Sequence, residues 1–224
     1  MHFFNPFYFA RISLAEHISD LAGSVVGKTL DVGCGKMPYK NLFNSTQYVG
    51  LEFDTHENRK LKSTDYFYDS KSFPFADQLF DSVVCNQVLE HVFTPDQFVS
   101  EINRVLKDGG IYLMTVPFVW NKHEQQVDYA RYSSFGLKTL LNRNGFDVIE
   151  QRKTLTNVSV IFQIVNAYIY KITQTRSRLI NLLLAICLIS PVTIVGICTS
   201  MLLPSNYDLY LDNVVLARKS EMSL

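Results

Sequence analysis

The sequence predicts an α/β protein: a doubly wound, mostly parallel sheet of seven strands, with an apolar helical insertion before the last strand. Three observations carry this. Short apolar runs alternate with stretches of helical period, the pattern of a parallel sheet covered on both faces. The first run ends in a glycine turn, Gly33-Cys34-Gly35. No charged residue occurs from Leu179 to Leu203. Four segments follow: an N-terminal helical segment (1–28), a core (29–152), the apolar insertion (153–210) and a final core strand with its tail (211–224).

Phe3, Phe4, Phe7, Tyr8 and Phe9 open the chain as an aromatic cluster, and Ile12, Leu14, Ile18 and Leu21 follow at roughly helical spacing. This segment is expected to cover an edge of the core or to help close a pocket. Strands are expected at Thr29–Gly33, Tyr48–Glu52, Asp65–Asp69 and Phe80–Asn86. Pro95–Leu106 carries the helical stripe Phe98, Val99, Ile102, Val105, Leu106, with Lys107-Asp108-Gly109-Gly110 as its glycine stop. Ile111–Val116 is a strand ended by Pro117. Ser133–Asn144 reads as a helix, with Ser133 or Ser134 as N-cap and Gly145 as C-cap. Phe146–Glu150 and Asn213–Lys219 complete the strands.

In such sheets ligands bind at the carboxyl ends of the strands, where strand order reverses. The polar residues there are Asp31, Gly33 and Gly35 after the first strand, Glu52 after the second, Asp69 after the third, and Asn86 and Gln87 after the fourth. Glycines let backbone approach a ligand closely. A carboxylate after the second strand suits the two hydroxyls of a ribose, and one after the third suits an adenine amino group. Asp81 reads as structural, holding the start of the fourth strand. Cys34 reads as a small filler.

Charge and cysteine content narrow the function classes. Lys and Arg number 21 and Asp and Glu 21, so no global positive field favours nucleic acid. The four cysteines form neither a CxxC pair nor a Cys/His ladder, so reduced thiols and no metal are expected. The N-terminal Met-His-Phe-Phe-Asn-Pro lacks the basic and apolar regions of a secretory signal. A nicotinamide fingerprint wants a third glycine where Pro38 stands.

The ordered motifs resemble class I S-adenosylmethionine-dependent methyltransferases, of the type 11-like branch. Leu30-Asp31-Val32-Gly33-Cys34-Gly35 is similar to their first motif, and Gly50-Leu51-Glu52 to their second-strand acid. Asp69 sits like their adenine-side acid. Phe73-Pro74-Phe75 through Phe80-Asp81-Ser82-Val83-Val84, Val88-Leu89-Glu90-His91-Val92 and Leu106–Gly110 match later segments. The resemblance covers about 28–150 and 211–219, and it implies a Rossmann-like fold, S-adenosyl-L-methionine as cofactor, and cofactor binding by Asp31, Gly33, Gly35, Glu52, Asp69 and Asn86.

Beyond the fifth strand, His123, Glu124, Asp128, Tyr129, Arg131, Tyr132 and Ser133 resemble a segment of a branch associated with surface-glycan and small-molecule methylation. Gln126 and Ala130 depart from that pattern. A hydroxyl acceptor must lose a proton, and histidine titrates near neutral pH, so His123 is the candidate base. Asp128 orients it or serves instead. Arg131 pairs with Glu124 or Asp128, or holds an anionic acceptor. A salt-bridged loop-to-helix cap without a catalytic role is the alternative.

As one helix, the 25 uncharged positions 179–203 would span roughly 38 Å. A single crossing would separate two strands of one sheet. Ser190-Pro191 therefore predicts a break, giving a helical hairpin that dips into one leaflet. Val158–Ile172 is expected to lead in as an amphipathic helix, with Lys171, Arg176 and Arg178 meeting anionic headgroups. Burial against the domain or in a dimer is the alternative. These features predict O-methylation of a glycan or lipid-linked glycan precursor by a cytoplasmic enzyme, peripheral or monotopic at the inner face of the membrane. A quinone or lipid methyltransferase, and a methyltransferase-like module that binds without catalysis, are the competing readings.

Overall fold

The alternating pattern resolves, in a computed structural model of the chain, into one seven-stranded sheet with strand order β3-β2-β1-β4-β5-β7-β6. Residues 2–60, 64–69, 71–123 and 127–221 are described. The strands are β1 (Val26–Val32), β2 (Asn44–Phe53), β3 (Tyr66–Tyr68), β4 (Phe80–Asn86), β5 (Leu106–Pro117), β6 (Phe146–Lys153) and β7 (Asp212–Lys219). The helices are α1 (Tyr8–Leu21), α2 (Pro95–Val105), α3 (Ser134–Arg143), α4 (Ser159–Thr173), α5 (Arg178–Leu184) and α6 (Ser190–Leu202).

β1 pairs in parallel with β2 and β4, β2 with β3, and β4 with β5. Strand order therefore reverses between β1 and β4, which places the ligand crevice at their carboxyl ends. Ser220 N–H donates to Gly145 O, where β7 ends and β6 begins. Thr154 N–H donates to Asp212 O at the opposite ends of the same strands. β7 thus runs antiparallel to β6.

Contact clustering gives two compact units. The sheet unit comprises His17–Pro117, Glu124–Arg152 and Asn213–Leu224. Its core includes Leu30, Leu51, Phe80, Ile102, Leu106, Tyr112, Leu137 and Phe146, all fully buried. Each large apolar side chain so buried contributes about 1.5–3 kcal/mol. Asp81 ties three segments together: it accepts from Lys28 N–H at 2.7 Å and from Lys107 Nζ at 2.6 Å, while Ser82 Oγ donates to Val26 O. The Lys107 ammonium and the Lys28 amide hold the Asp81 carboxyl below the usual carboxylate range.

α3 starts as expected, with Ser133 Oγ accepting from Gly136 N–H. The stop of α2 differs from expectation. Lys107–Gly110 does not cap the helix but opens β5, because Leu106 is already extended (φ −76°, ψ 141°). Gly109 takes φ +72°, and a Cβ on Gly110 would lie 2.7 Å from Lys107 O. The glycines serve a tight strand start rather than a helix end.

The helical unit comprises Met1–Glu16, Phe118–His123 and Lys153–Asp212. Phe7 packs edge-on against Tyr170 and tilts against Trp120. Gln163 of α4 accepts from Ala10 N–H and donates to Pro6 O. The N-terminal aromatic cluster is thus anchored on α4.

The break expected at Ser190-Pro191 does not occur. Arg178–Leu202 is one continuous helix of 25 residues. A π-helical turn at Ala185–Ile189 accommodates the proline, with Ser190 N–H bonding Ala185 O five residues back. The widened turn relieves the clash a proline ring makes with the carbonyl four residues earlier. The hairpin exists, but α4 is its other arm. Asn166 Nδ2 donates to Thr193 Oγ1 at 2.9 Å, and Gly196 lies against Phe162, so the two helices run antiparallel.

Candidate functional site

β1 delivers the loop. Gly33 has φ +68°, and its N–H donates to Leu51 O at 2.9 Å. A Cβ there would lie 2.3 Å from Val88 Cγ2. Gly35 has φ +47°, and its N–H donates to Glu52 Oε2 at 3.0 Å. Among the described residues, none beyond its chain neighbours brings a heavy atom within 4 Å of the Cβ position at Gly35, so its side-chain direction is open there. Glu52 Oε1 also accepts from Phe53 N–H. Two backbone donors fix this carboxylate at the end of β2 and leave lone pairs for a ligand's hydroxyls.

Asp31 is buried beside this loop, opposite Gly50 of β2. Tyr48 Oη donates to its Oδ2 at 2.8 Å. Burial pushes the Asp31 carboxyl up to about 7; the Tyr48 bond opposes the rise and the charge of Glu52 adds to it. The unfolded chain releases this proton near pH 3.8 and the folded chain near 7. Between those values the fold holds the extra proton, so stability falls as pH rises through the window and levels off above it. Asp31→Asn is expected to flatten that slope, which amounts to a few kcal/mol. Urea unfolding across this pH range measures it.

Asp69 stands exposed just past β3, where its Oδ1 accepts from Lys71 N–H. Asn86 ends β4 and its Oδ1 accepts from Thr115 Oγ1 of β5. Gln87 follows with φ +55° and donates its N–H to Thr115 O. The structure thus sets Asp31, Gly33, Gly35, Glu52 and Asn86 along adjacent carboxyl ends, with Asp69 on the outer strand. Cys34 is buried, its thiol pushed up to about 11 chiefly by burial, so it stays protonated as a filler.

The Phe73-Pro74-Phe75 run is an anchor. Arg104 of α2 donates to the carbonyls of Phe73 and Phe75, and Glu101 accepts from Phe73 N–H.

The segment after β5 forms another part of the sheet unit's carboxyl edge. Tyr129 and Ala130 donate their N–H groups to Glu90 O, and Tyr132 N–H reaches Pro117 O. His91 Nδ1 lies 3.0 Å from Val127 O. Arg131 grips Asp128 through two bonds, 2.5 and 2.9 Å long, and Asp128 is nearly enclosed. Of the two partners expected for Arg131, Asp128 is engaged; Glu124 and Gln126 lie outside the described residues. That bidentate pair occupies both carboxylate oxygens of Asp128. His123 belongs to the helical unit, its Nδ1 3.3 Å from Asn121 O. Tyr48 and Val88 were not singled out from sequence. Their roles come from pairings 17 residues or more away in the chain, which no local pattern announces.

Comparisons with known proteins agree with this geometry. Residues 30–114 match a family described as a methyltransferase domain. A probable S-adenosylmethionine-dependent methyltransferase of Mycolicibacterium smegmatis is 33% identical over 95 residues, 39% of this chain and 37% of that protein. The mitochondrial ubiquinone biosynthesis O-methyltransferase of Dictyostelium discoideum is 29% identical over 111 residues, 46% of this chain and 32% of its own length. Among solved structures, phosphoethanolamine N-methyltransferase 2 of Haemonchus contortus, in complex with S-adenosyl-L-methionine, superposes with a TM-score of 0.57 at 18% identity. That match covers 93% of this chain and 52% of the other, and at this identity the likeness is one of fold. The chain spans roughly a third to a half of the length of the curated relatives it matches.

Proposed function

We propose that this chain, a class I S-adenosylmethionine-dependent methyltransferase, moves the cofactor's methyl group to a hydroxyl oxygen of a glycan or lipid-linked glycan precursor at a membrane surface. The observation that carries the cofactor half is the Gly35–Glu52 pair: a carboxylate fixed by two backbone amides beside open space at a glycine. Ribose hydroxyls fit the carboxylate, and Asp31 and Glu52 give the loop the acidity that suits a cationic ligand. When bound, the cofactor supplies a methyl group on a positively charged sulfur.

The chain's own residues hold and orient. Alignment of the acceptor oxygen with that methyl can contribute up to roughly 7–11 kcal/mol. The acceptor's O–H proton would have to pass to a base that this chain holds within hydrogen-bond reach of that oxygen. His123 is the proposed base, and the Asp128–Arg131 pair shapes the acceptor side. His123→Ala is expected to lower turnover about 10²–10⁴-fold with cofactor affinity unchanged. Full turnover in the variant, measured alongside calorimetric cofactor binding, would remove this base.

A quinone or other lipid acceptor is the second reading, favoured by the likeness to the ubiquinone-pathway enzyme. Incubation with methyl-labelled S-adenosylmethionine and fractionated lipid and glycan extracts separates the two. Label in a glycolipid supports the first, and label in quinone replaces it. Tight cofactor binding with no labelled product in any fraction would favour a module that binds without catalysis.

A further inference from the structure

The exposed apolar surface of the helical unit has a chemistry of its own. α4 covers only the C-terminal half of the long helix. Counting back from the Asn166–Thr193 contact, the end of α4 reaches about the level of Ile186, so α5 projects beyond it by roughly 12 Å. No residue of α5 is buried. At about 100° per residue, Leu179, Ile180 and Leu182 point to three different quarters of the helix, and all three are exposed. A dimer seam occupies one stripe of a helix, whereas exposed apolar side chains on three of its quarters fit a surrounding apolar solvent.

The polar side chains of this helix point the same way. Ser190, Thr193, Thr199 and Ser200 each donate to a carbonyl of their own helix. Asn181 is closed by reciprocal bonds with Thr175. Such internal satisfaction is what hydrocarbon demands and water does not. At the projecting end stand Arg176 and Arg178, both exposed. α4 adds exposed Ile161, Val165, Tyr168 and Ile172.

We infer that the α4–α6 hairpin is a docking surface for an anionic lipid bilayer, with α5 entering one leaflet and Arg176 and Arg178 at the headgroups. It lies on the membrane rather than crossing it. α4 is 15 residues, roughly 22 Å, short of the ~30 Å hydrocarbon. The chain also leaves and rejoins the sheet at one place, the Thr154–Asp212 pair. This inference deepens the membrane half of the proposed function, but its test involves no methyl transfer, so either can fail alone.

The test is flotation of the full chain with vesicles of phosphatidylcholine containing about a quarter phosphatidylglycerol, and with phosphatidylcholine alone. The chain is expected to float with the anionic vesicles and more weakly with the neutral ones. Leu179→Ser with Leu183→Ser is expected to weaken partitioning at least about tenfold on both. Arg176→Gln with Arg178→Gln is expected to weaken it roughly thirtyfold on anionic vesicles alone. These positions are exposed, so unchanged thermal unfolding verifies that the variants fold. Phe135→Ser, at an equally exposed apolar position of the sheet unit, is expected to change nothing. A chain that stays unbound with both vesicles overturns the inference. So does a dimer, seen by analytical ultracentrifugation, that the leucine pair dissociates while flotation persists.

Discussion

Gly33→Ala is expected to destabilise the protein by about 2–5 kcal/mol and to abolish measurable cofactor binding. A left-handed conformation costs a side-chain-bearing residue about 1–2 kcal/mol, and forcing a methyl into packed space about 1–3. Both apply at Gly33, where φ is +68° and Val88 Cγ2 stands 2.3 Å from the new Cβ. The N–H bond to Leu51 O prevents the loop from moving aside. Against a total stability of roughly 5–15 kcal/mol, the loss lowers the urea midpoint strongly. Adding Val88→Ala is expected to restore part of it, because the clash and the cavity lie in one place. Gly35→Ala is the contrast. Beyond its chain neighbours it meets no atom of the described residues within 4 Å, so stability is expected to fall only by the backbone cost of about 1–2 kcal/mol. Its methyl instead fills the open space assigned to the cofactor, so affinity falls far more than stability. Normal cofactor binding by Gly35→Ala would take that space away from the ligand.

The contrast between these two glycines marks what sequence could and could not show. The run from Leu30 to Gly35 and the carboxylate of Glu52 are local patterns, tied to strand ends whose positions hydrophobic periodicity gives. The bond from Gly35 N–H to Glu52 follows once β1 and β2 pair in parallel. Why Gly33 must be glycine depends on Val88, which arrives in the loop after β4. The upward shift of the Asp31 carboxyl depends on its depth and is opposed by the Tyr48 bond, neither of which a linear pattern encodes. The insertion misled for a different reason. Proline at 191 normally signals a break, but one added residue in the preceding turn absorbs it. Asn166, a polar residue in an apolar helix, and Gly196 were the signals that α4 and α6 meet face to face, while Gln163 marked the N-terminal segment's anchor on α4.

Glu52→Ala is expected to weaken S-adenosylmethionine binding on the order of 10²–10⁴-fold while leaving the fold intact. Hydrogen bonds to a charged group contribute about 1.5–3 kcal/mol each, and a ribose offers two. Removing the carboxylate also releases the amides of Gly35 and Phe53, which can turn to water at this partly exposed edge. Unfolding of the cofactor-free protein is therefore expected to change little. The stabilisation that saturating cofactor adds is expected to disappear, because ligand stabilisation scales with the logarithm of concentration over Kd. Glu52→Gln keeps one acceptor oxygen and exchanges the other for a donor, so its affinity falls between the two. Glu52→Asp keeps the charge but is one methylene shorter, and it tests reach rather than charge. If all three bind like the parent chain, the ribose does not lie on Glu52. A loss in Glu52→Asp as deep as in Glu52→Ala would show that the position fixed by Gly35 N–H, more than the charge, makes the carboxylate a ribose acceptor.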